Sequence, residues 1–148
     1  MQRTVIVGLY LIAMVGSTAL AQTAVNDLAS VKTIYVGDFG HGPGSELIRS
    51  KIITGLVKSH RIAVVETESG ADAILTGVGE LSKTAHFSID NGSGSGGSRY
   101  HATAGVRLLN QEQKILWADE ASNGWFYRSA SSSVAEKIVK ALLKALGK

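Results

Sequence analysis

Residues 70–87 read GADAILTGVGELSKTAHF, and after a glycine- and serine-rich interval residues 98–108 read SRYHATAGVRL. From Ala73 onward the odd positions are Ala73, Leu75, Gly77, Gly79 and Leu81, then Ala85, Phe87 and Ile89. The even positions Glu80, Ser82, Thr84, His86 and Ser88 are polar. A period of two marks a strand with one core face and one wet face. The second run repeats the pattern, with Tyr100, Ala102, Ala104, Val106 and Leu108 on one side and Arg99, His101, Thr103 and Arg107 on the other. The two runs are predicted to form an antiparallel hairpin around DNGSGSGG, with Ile89 opposite Ser98. That register sets Phe87 against Tyr100, Leu81 against Val106, Thr84 against Thr103 and Glu80 against Arg107, all favourable cross-strand neighbours. A slip of one residue would mix the two faces, so parity is fixed more firmly than register.

Gly77 and Gly79 inside this strand raise the question of a phosphate-holding loop. A dinucleotide fingerprint needs G-x-G-x-x-G between a strand and a helix. Ser82 stands where the third glycine belongs, and more strand follows. The pair is read as a packing device that lets a helix or loop approach the sheet closely.

Working outward, KTIYVGDF is a β-branched and aromatic run ended by glycine, a predicted strand. GHGPGS is a loop by composition, and Ser45 is placed to cap a helix carrying Ile48, Ile52 and Leu56 on one face. RIAVVE is a short apolar run of the kind buried on both sides in a parallel sheet. Strand, helix and strand together make a right-handed β-α-β crossover with parallel strands. NQEQ turns the second hairpin strand into KILWADEA, where Ile115 and Trp117 are expected to extend the apolar face beside Leu108 and Val106. The final helix, SVAEKIVKALLKALGK, sets Val134, Ile138, Leu142 and Leu146 on one stripe and Lys137, Lys140, Lys144 and Lys148 on the other. Such a helix closes a domain by burying its apolar stripe, or lies on an anionic membrane surface. The open sheet face is expected to carry Ile74, Val78, Leu109 and Leu116, a surface suited to a partner or a second copy of the chain.

The amino terminus bears on compartment. Arg3 precedes an apolar run from Val5 to about Leu11, and Ala19 and Ala21 satisfy the A-x-A pattern of a signal-peptidase site. Gly8, Gly16, Ser17 and Thr18 interrupt the run, against a spanning anchor. The expected organisation is a signal peptide over 1–21, a lead-in over 22–30 and one domain over 31–148. Export to the periplasm or beyond follows, with no transmembrane segment left after cleavage. The chain has no cysteine, hence neither disulfides nor a lipid-anchor cysteine. A formal charge of +3, less Arg3 once the leader is removed, is too small and too dispersed to argue for nucleic acid.

Candidate chemical groups are few. His86 and His101 face one another in the expected register, half a zinc site with Asp90 as a conceivable third ligand, against the three or four that zinc requires. No serine lies in a G-x-S-x-G elbow, and GSGSGGS belongs to the expected hairpin loop. Asp38 and Asp72 sit at strand ends, where α/β sites collect and where aspartate also caps and turns. The loop Asp38–Ser45 runs into a helix N-terminus, yet it lacks the lysine and spacing of a phosphate loop, and Pro43 removes one donor. The aromatic group Trp125, Phe126 and Tyr127 either plugs the end of the sheet or presents a contact patch.

IYVGDF with its following helix, RIAVVE, SGADAILTG, the hairpin, VRLLNQEQKILWADE and the closing amphipathic helix together resemble one family of small domains. It is the envelope domain shared by the curli-secretion lipoprotein CsgG, the synthase activator LpoB and the N-terminal domain of TolB. The strongest local match is A-D-x-[IL]-L-x-G at Ala71 to Gly77. The resemblance implies an α/β (α+β) fold: a single mixed sheet in the order β-α-β-β-β-β-α, with two helices packed on one face. It also implies a non-enzymatic binding or assembly role, without a cofactor, toward an envelope protein partner. The missing anchor cysteine, and a hairpin too short for a pore, turn that expectation toward a soluble periplasmic accessory. The alternative class is a small-ligand-binding or hydrolytic protein that uses the Asp38–Ser45 loop and Asp72. A weaker one is a membrane-surface binder acting through the lysine helix.

Overall fold

Residues 27–90, 93–125 and 127–148 are described in the computed structural model, at 86, 88–90, 93, 95, 124, 125, 127 and 128 by backbone alone. The expected leader over 1–21 lies outside the described residues. The elements in chain order are β1 (Thr33–Val36), α1 (Ser45–Ser59), β2 (Ala63–Val65), β3 (Ala73–Asp90), β4 (Ser93–Asn110), β5 (Ile115–Trp125) and α2 (Tyr127–Ala145). They form one mixed five-stranded sheet ordered β2-β1-β3-β4-β5, an α+β fold. β1 is parallel to both β2 and β3, whereas β3–β4 and β4–β5 are antiparallel.

Both helices cover the same face, α1 against β2 and β3, α2 against β4, β5 and α1. Ile48, Ile52 and Leu56 of α1 are fully buried, as their four-residue spacing requires. α2 buries Val134, Ile138, Leu142 and Leu146, so its apolar stripe belongs to the core and is closed to lipid. The sheet answers with Ile34, Leu75, Ala102, Ala104, Val106 and Leu108. Gly55 brings the helices together: a Cβ there would stand 3.0 Å from Cγ2 of Val139.

The two glycines of β3 differ in purpose. A Cβ on Gly79 would meet Cα of Ser45 and Cδ1 of Ile48, each at 3.2 Å, so its bareness admits the first turn of α1. A Cβ on Gly77 would instead strike the carbonyl oxygen of Gly105 on β4, so that site serves the coil of the hairpin itself.

Several expectations need correction. The core parity of β3 and β4 holds, but the register is displaced by four residues. Phe87 lies opposite Gly96, Thr84 opposite Arg99, Leu81 opposite Ala102 and Glu80 opposite Thr103, while Arg107 pairs with Thr76. The cause lies in the connection: pairing continues to Asp90↔Ser93, leaving only Asn91-Gly92 between the strands. That dipeptide is the strongest short hairpin signal. Residues 93–98, SGSGGS, are therefore strand rather than loop.

β2 is an edge strand of three residues, exposed or half-buried throughout, and not a strand buried on both sides. Ser45 is the first residue of α1 rather than its cap. Gly44 holds the cap position at φ 85°, and the Ser45 hydroxyl donates to the Gly42 carbonyl. A bulge between Leu108 and Leu109 turns Ile115 onto the open face beside Leu109, where it is 53 % exposed, instead of continuing the core. On that face Ile74 is buried beside Tyr35 and Leu116 packs against the core; Val78 is the exposed member of the expected set.

Candidate functional site

The most distinctive feature follows from unequal strand lengths. β1 pairs with β3 only over Ala73–Leu75. The 38–43 loop then continues along that edge: the N–H groups of Gly77, Gly79 and Leu81 donate to the carbonyls of Asp38, Phe39 and Pro43. Beyond Leu81 no described strand or loop flanks β3. On the other side β5 accompanies β4 only from Leu109 to Tyr100. The remainder, residues 84–90 and 93–99, is a two-stranded ribbon projecting roughly 23 Å at 3.3 Å per residue.

Such a ribbon has little with which to hold itself in water, since isolated two-stranded hairpins are marginal. Lys83 lies over the Tyr100 ring at its base, with Nζ 5.7 Å from the centroid. Phe87 is 69 % exposed. Its ring covers the backbone of the two facing glycines: a Cβ on Gly94 would stand 3.1 Å from its Cζ, and one on Gly96 3.7 Å from its Cδ2. An aromatic over cross-strand glycines stiffens a two-stranded ribbon. The outer edge of β4 from Ser93 to Ser98 carries only glycine and serine, with no charge or proline to deter another strand.

The wet face of the sheet behind this ribbon is open. Thr76, Val78, Arg107, Ala118 and Glu120 surround a shallow trough of about 600 Å³ whose floor dips at Gly105. Val78 is 66 % exposed on its rim. The trough offers an apolar floor with one basic residue, Arg107, and two acidic ones, Asp119 and Glu120, around it, which suits a protein surface.

The other candidates are placed as follows. Asp72 is a structural latch: Oδ2 accepts from the N–H groups of Lys32 and Thr33, both at 2.9 Å. Partial burial pushes its pKa up, but the hydrogen bonds from Lys32 and Thr33 outweigh that, and the carboxyl lies below its ordinary value. Asp38 Oδ1 accepts from Gly40 N at 3.1 Å, a local turn, and its carbonyl is held by Gly77 and by the Thr76 hydroxyl. The Asp38–Ser45 loop is thus pinned along β3 by its own carbonyls. Arg49 completes that corner, with Nε donating to the Gly37 carbonyl at 2.7 Å and Nη2 to that of Val36 at 2.9 Å.

The expected histidine pair does not meet. His86 lies opposite Gly97 and His101 opposite Ser82, so four residues of strand separate their rows, and no cluster of three potential metal ligands occurs among the described residues. The side chain of His86 is outside the described residues, as are those of Trp125 and Tyr127 and the whole of Phe126. The backbone puts that aromatic segment at the junction of β5 and α2.

Two features escaped the sequence reading. The ribbon had a signal in Asn91-Gly92, which alone would have set the register. The buried Asn110 had none: its Oδ1 accepts from the N–H groups of Glu112 and Lys114 at 3.0 and 2.9 Å, which builds the β4–β5 turn.

No protein-family model matches the chain, and no curated protein matches it. Solved structures do. The chain is similar to a PelC dodecamer subunit from Paraburkholderia phytofirmans at 16 % identity and TM-score 0.48, covering 78 % of this chain and 86 % of that one. It is similar to a minor lipoprotein from Acinetobacter baumannii at 7 % identity and TM-score 0.44, covering 78 % and 94 %. A lipoprotein B from Nitrosomonas europaea matches at 16 % identity and TM-score 0.43, covering 82 % and 84 %. Among the described residues no helix is long and apolar enough to cross a membrane.

Proposed function

We propose that this chain is an exported accessory protein of the bacterial envelope that acts by protein–protein contact and not by catalysis. The ribbon carries the reading. A stiffened two-stranded arm with an open edge of glycine and serine is a template on which another chain adds a strand. Backbone hydrogen bonds would supply the affinity, and Phe87 an apolar anchor at its centre. The leader-like amino terminus supports work outside the cytoplasm, and the resemblance to the CsgG, LpoB and TolB domains supports an assembly role. Asp38 and Asp72, on which the alternative ligand-binding or hydrolytic reading would rely, are engaged in holding the fold, which favours contact over hydrolysis.

The test is site-specific photocrosslinking in the producing bacterium. A photoreactive residue at Ala85 or Ser98 is expected to trap a partner, and the same residue at Ser50 of α1 is not. Phe87→Ser should lose the adduct and keep the melting temperature, since the ring touches no core residue. Equal trapping from Ser50, or none from the ribbon, would reject the reading.

A further inference from the structure

The end of the domain opposite the ribbon has a different character. Both helices finish there, and β1, β2 and β3 begin there. Two adjoining hollows of about 490 and 540 Å³ share Arg61 and Lys148. Lys32 borders the first, Lys140 and Lys144 the second. Five cations therefore ring one surface of a chain whose net formal charge is only +3. Glu136 is the one acidic side chain lining the two hollows, and Asp72 lies near enough to Lys32 to feel its charge. Among the described residues none of the five cations is in an ion pair; the pair present joins Arg49 to Glu46.

We infer that this basic end docks on an anionic lipid surface, holding the ribbon out from the membrane. Lysines at the end of α2 also suit the negative helix terminus. That accounts for Lys144 and Lys148, but not for Lys32 ahead of β1 or Arg61 beyond α1. Because the apolar stripe of α2 is buried, docking is electrostatic and superficial rather than by insertion of the helix. Val57, half exposed at 52 % between the cations, adds a small apolar contact at headgroup depth. Phosphate headgroups match the site better than an acidic protein would: the charges are long, separate side chains spread over a shallow surface, without a bidentate pair. The orientation follows from the strand direction, since β3 runs from this end to the ribbon tip. The docked domain would lift its pairing edge some 50 Å from the bilayer, at 3.3 Å per residue of β3. The inference stands apart from the ribbon reading and can hold where that fails.

Vesicle co-sedimentation of the full chain, purified from the envelope fraction, tests it. Vesicles of equal parts phosphatidylglycerol and phosphatidylcholine should carry the protein down, and pure phosphatidylcholine vesicles should not. Raising salt from about 0.1 to about 0.5 M should release it as screening shortens. Lys140→Gln with Lys144→Gln should weaken partitioning about 25-fold, about fivefold for each basic residue at an anionic surface. Lys51→Gln, away from this end, should leave it unchanged, and all variants should melt together. Equal sedimentation on both vesicle types, a loss of about fivefold from Lys51→Gln, or release by inorganic phosphate at matched ionic strength would overturn the inference.

Discussion

Asp72 and Thr33 hold one another reciprocally: the Thr33 N–H donates to Asp72 Oδ2 at 2.9 Å, and the Asp72 N–H donates to Thr33 Oγ1 at 2.8 Å. Together with the Lys32 N–H on the same carboxylate oxygen, this ties the entry of β1 to the entry of β3. The latch works only while the carboxyl is ionised. Its folded pKa lies below 3.8, so between the two values the unfolded chain binds more protons and stability rises with pH. The contribution is whole above pH 3.8 and fades as the pH falls through the folded value. Asp72→Asn should cost about 2 kcal/mol near neutral pH, the range for hydrogen bonds to a charged group. The gap between variant and parent should close in acid. Denaturant melts at several pH values would show this, and a gap independent of pH would refute it.

Gly44 meets two demands at once. Its φ of 85° is costly for any residue with a side chain, and a Cβ there would drive into the Cβ of Leu81. Gly44→Ala should therefore destabilise by about 2 kcal/mol or more, the sum of left-handed strain and a shift of α1 against β3. Gly40, also at positive φ but with nothing within 4 Å, is the control. Its alanine variant should lose only the strain, about 1 kcal/mol. Thermal melts of the two side by side decide the matter.

Asn110 is fully buried, and its side chain oxygen serves two backbone donors of the following turn. Asn110→Ala removes that acceptor from two N–H groups whose residues, Glu112 and Lys114, are exposed to water. A loss of about 1–3 kcal/mol is expected, about 0.5–1.5 kcal/mol for each hydrogen bond. Gln113, at φ 62° in the same turn, should accept glycine with little change or a small gain. A variant at Asn110 that melts like the parent would show that the turn is held by backbone alone.

Alternation was enough to place Ala73, Leu75, Ala102, Ala104, Val106 and Leu108 in the core, because a period of two admits one buried face. Register was not legible from the same residues. Pairing Phe87 with Tyr100 and Glu80 with Arg107 looked favourable, yet each such pair is worth only about 0.2–1 kcal/mol. A two-residue Asn-Gly connection fixes the backbone directly and prevails. Composition misled at Ser93–Ser98 for a related reason: glycine and serine read as loop, but β3 supplies a partner for every residue. Edge and centre could not be told apart for RIAVVE, since four consecutive apolar residues give no period. The burial of Asn110 depends on a turn whose geometry leaves no mark in the sequence.

The outward amides of the ribbon can be identified by parity. Gly77, Gly79 and Leu81 donate to the 38–43 loop, so odd-numbered N–H groups of β3 point away from β4 and the even ones point toward it. Past Leu81 the loop ends, and the amides of Lys83, Ala85 and Phe87 face no described acceptor, while those of Ser82, Thr84 and His86 point into the hairpin. Hydrogen exchange followed residue by residue should show that difference. The odd set should exchange at least about tenfold faster than the even set in the isolated protein, because only the even set must await opening of the ribbon. Addition of a strand by a partner along this edge would slow the odd set and leave the even set nearly unchanged. Equal rates in the free protein would mean that the ribbon opens as a unit too often to template a strand on either edge, and strand addition would then be abandoned.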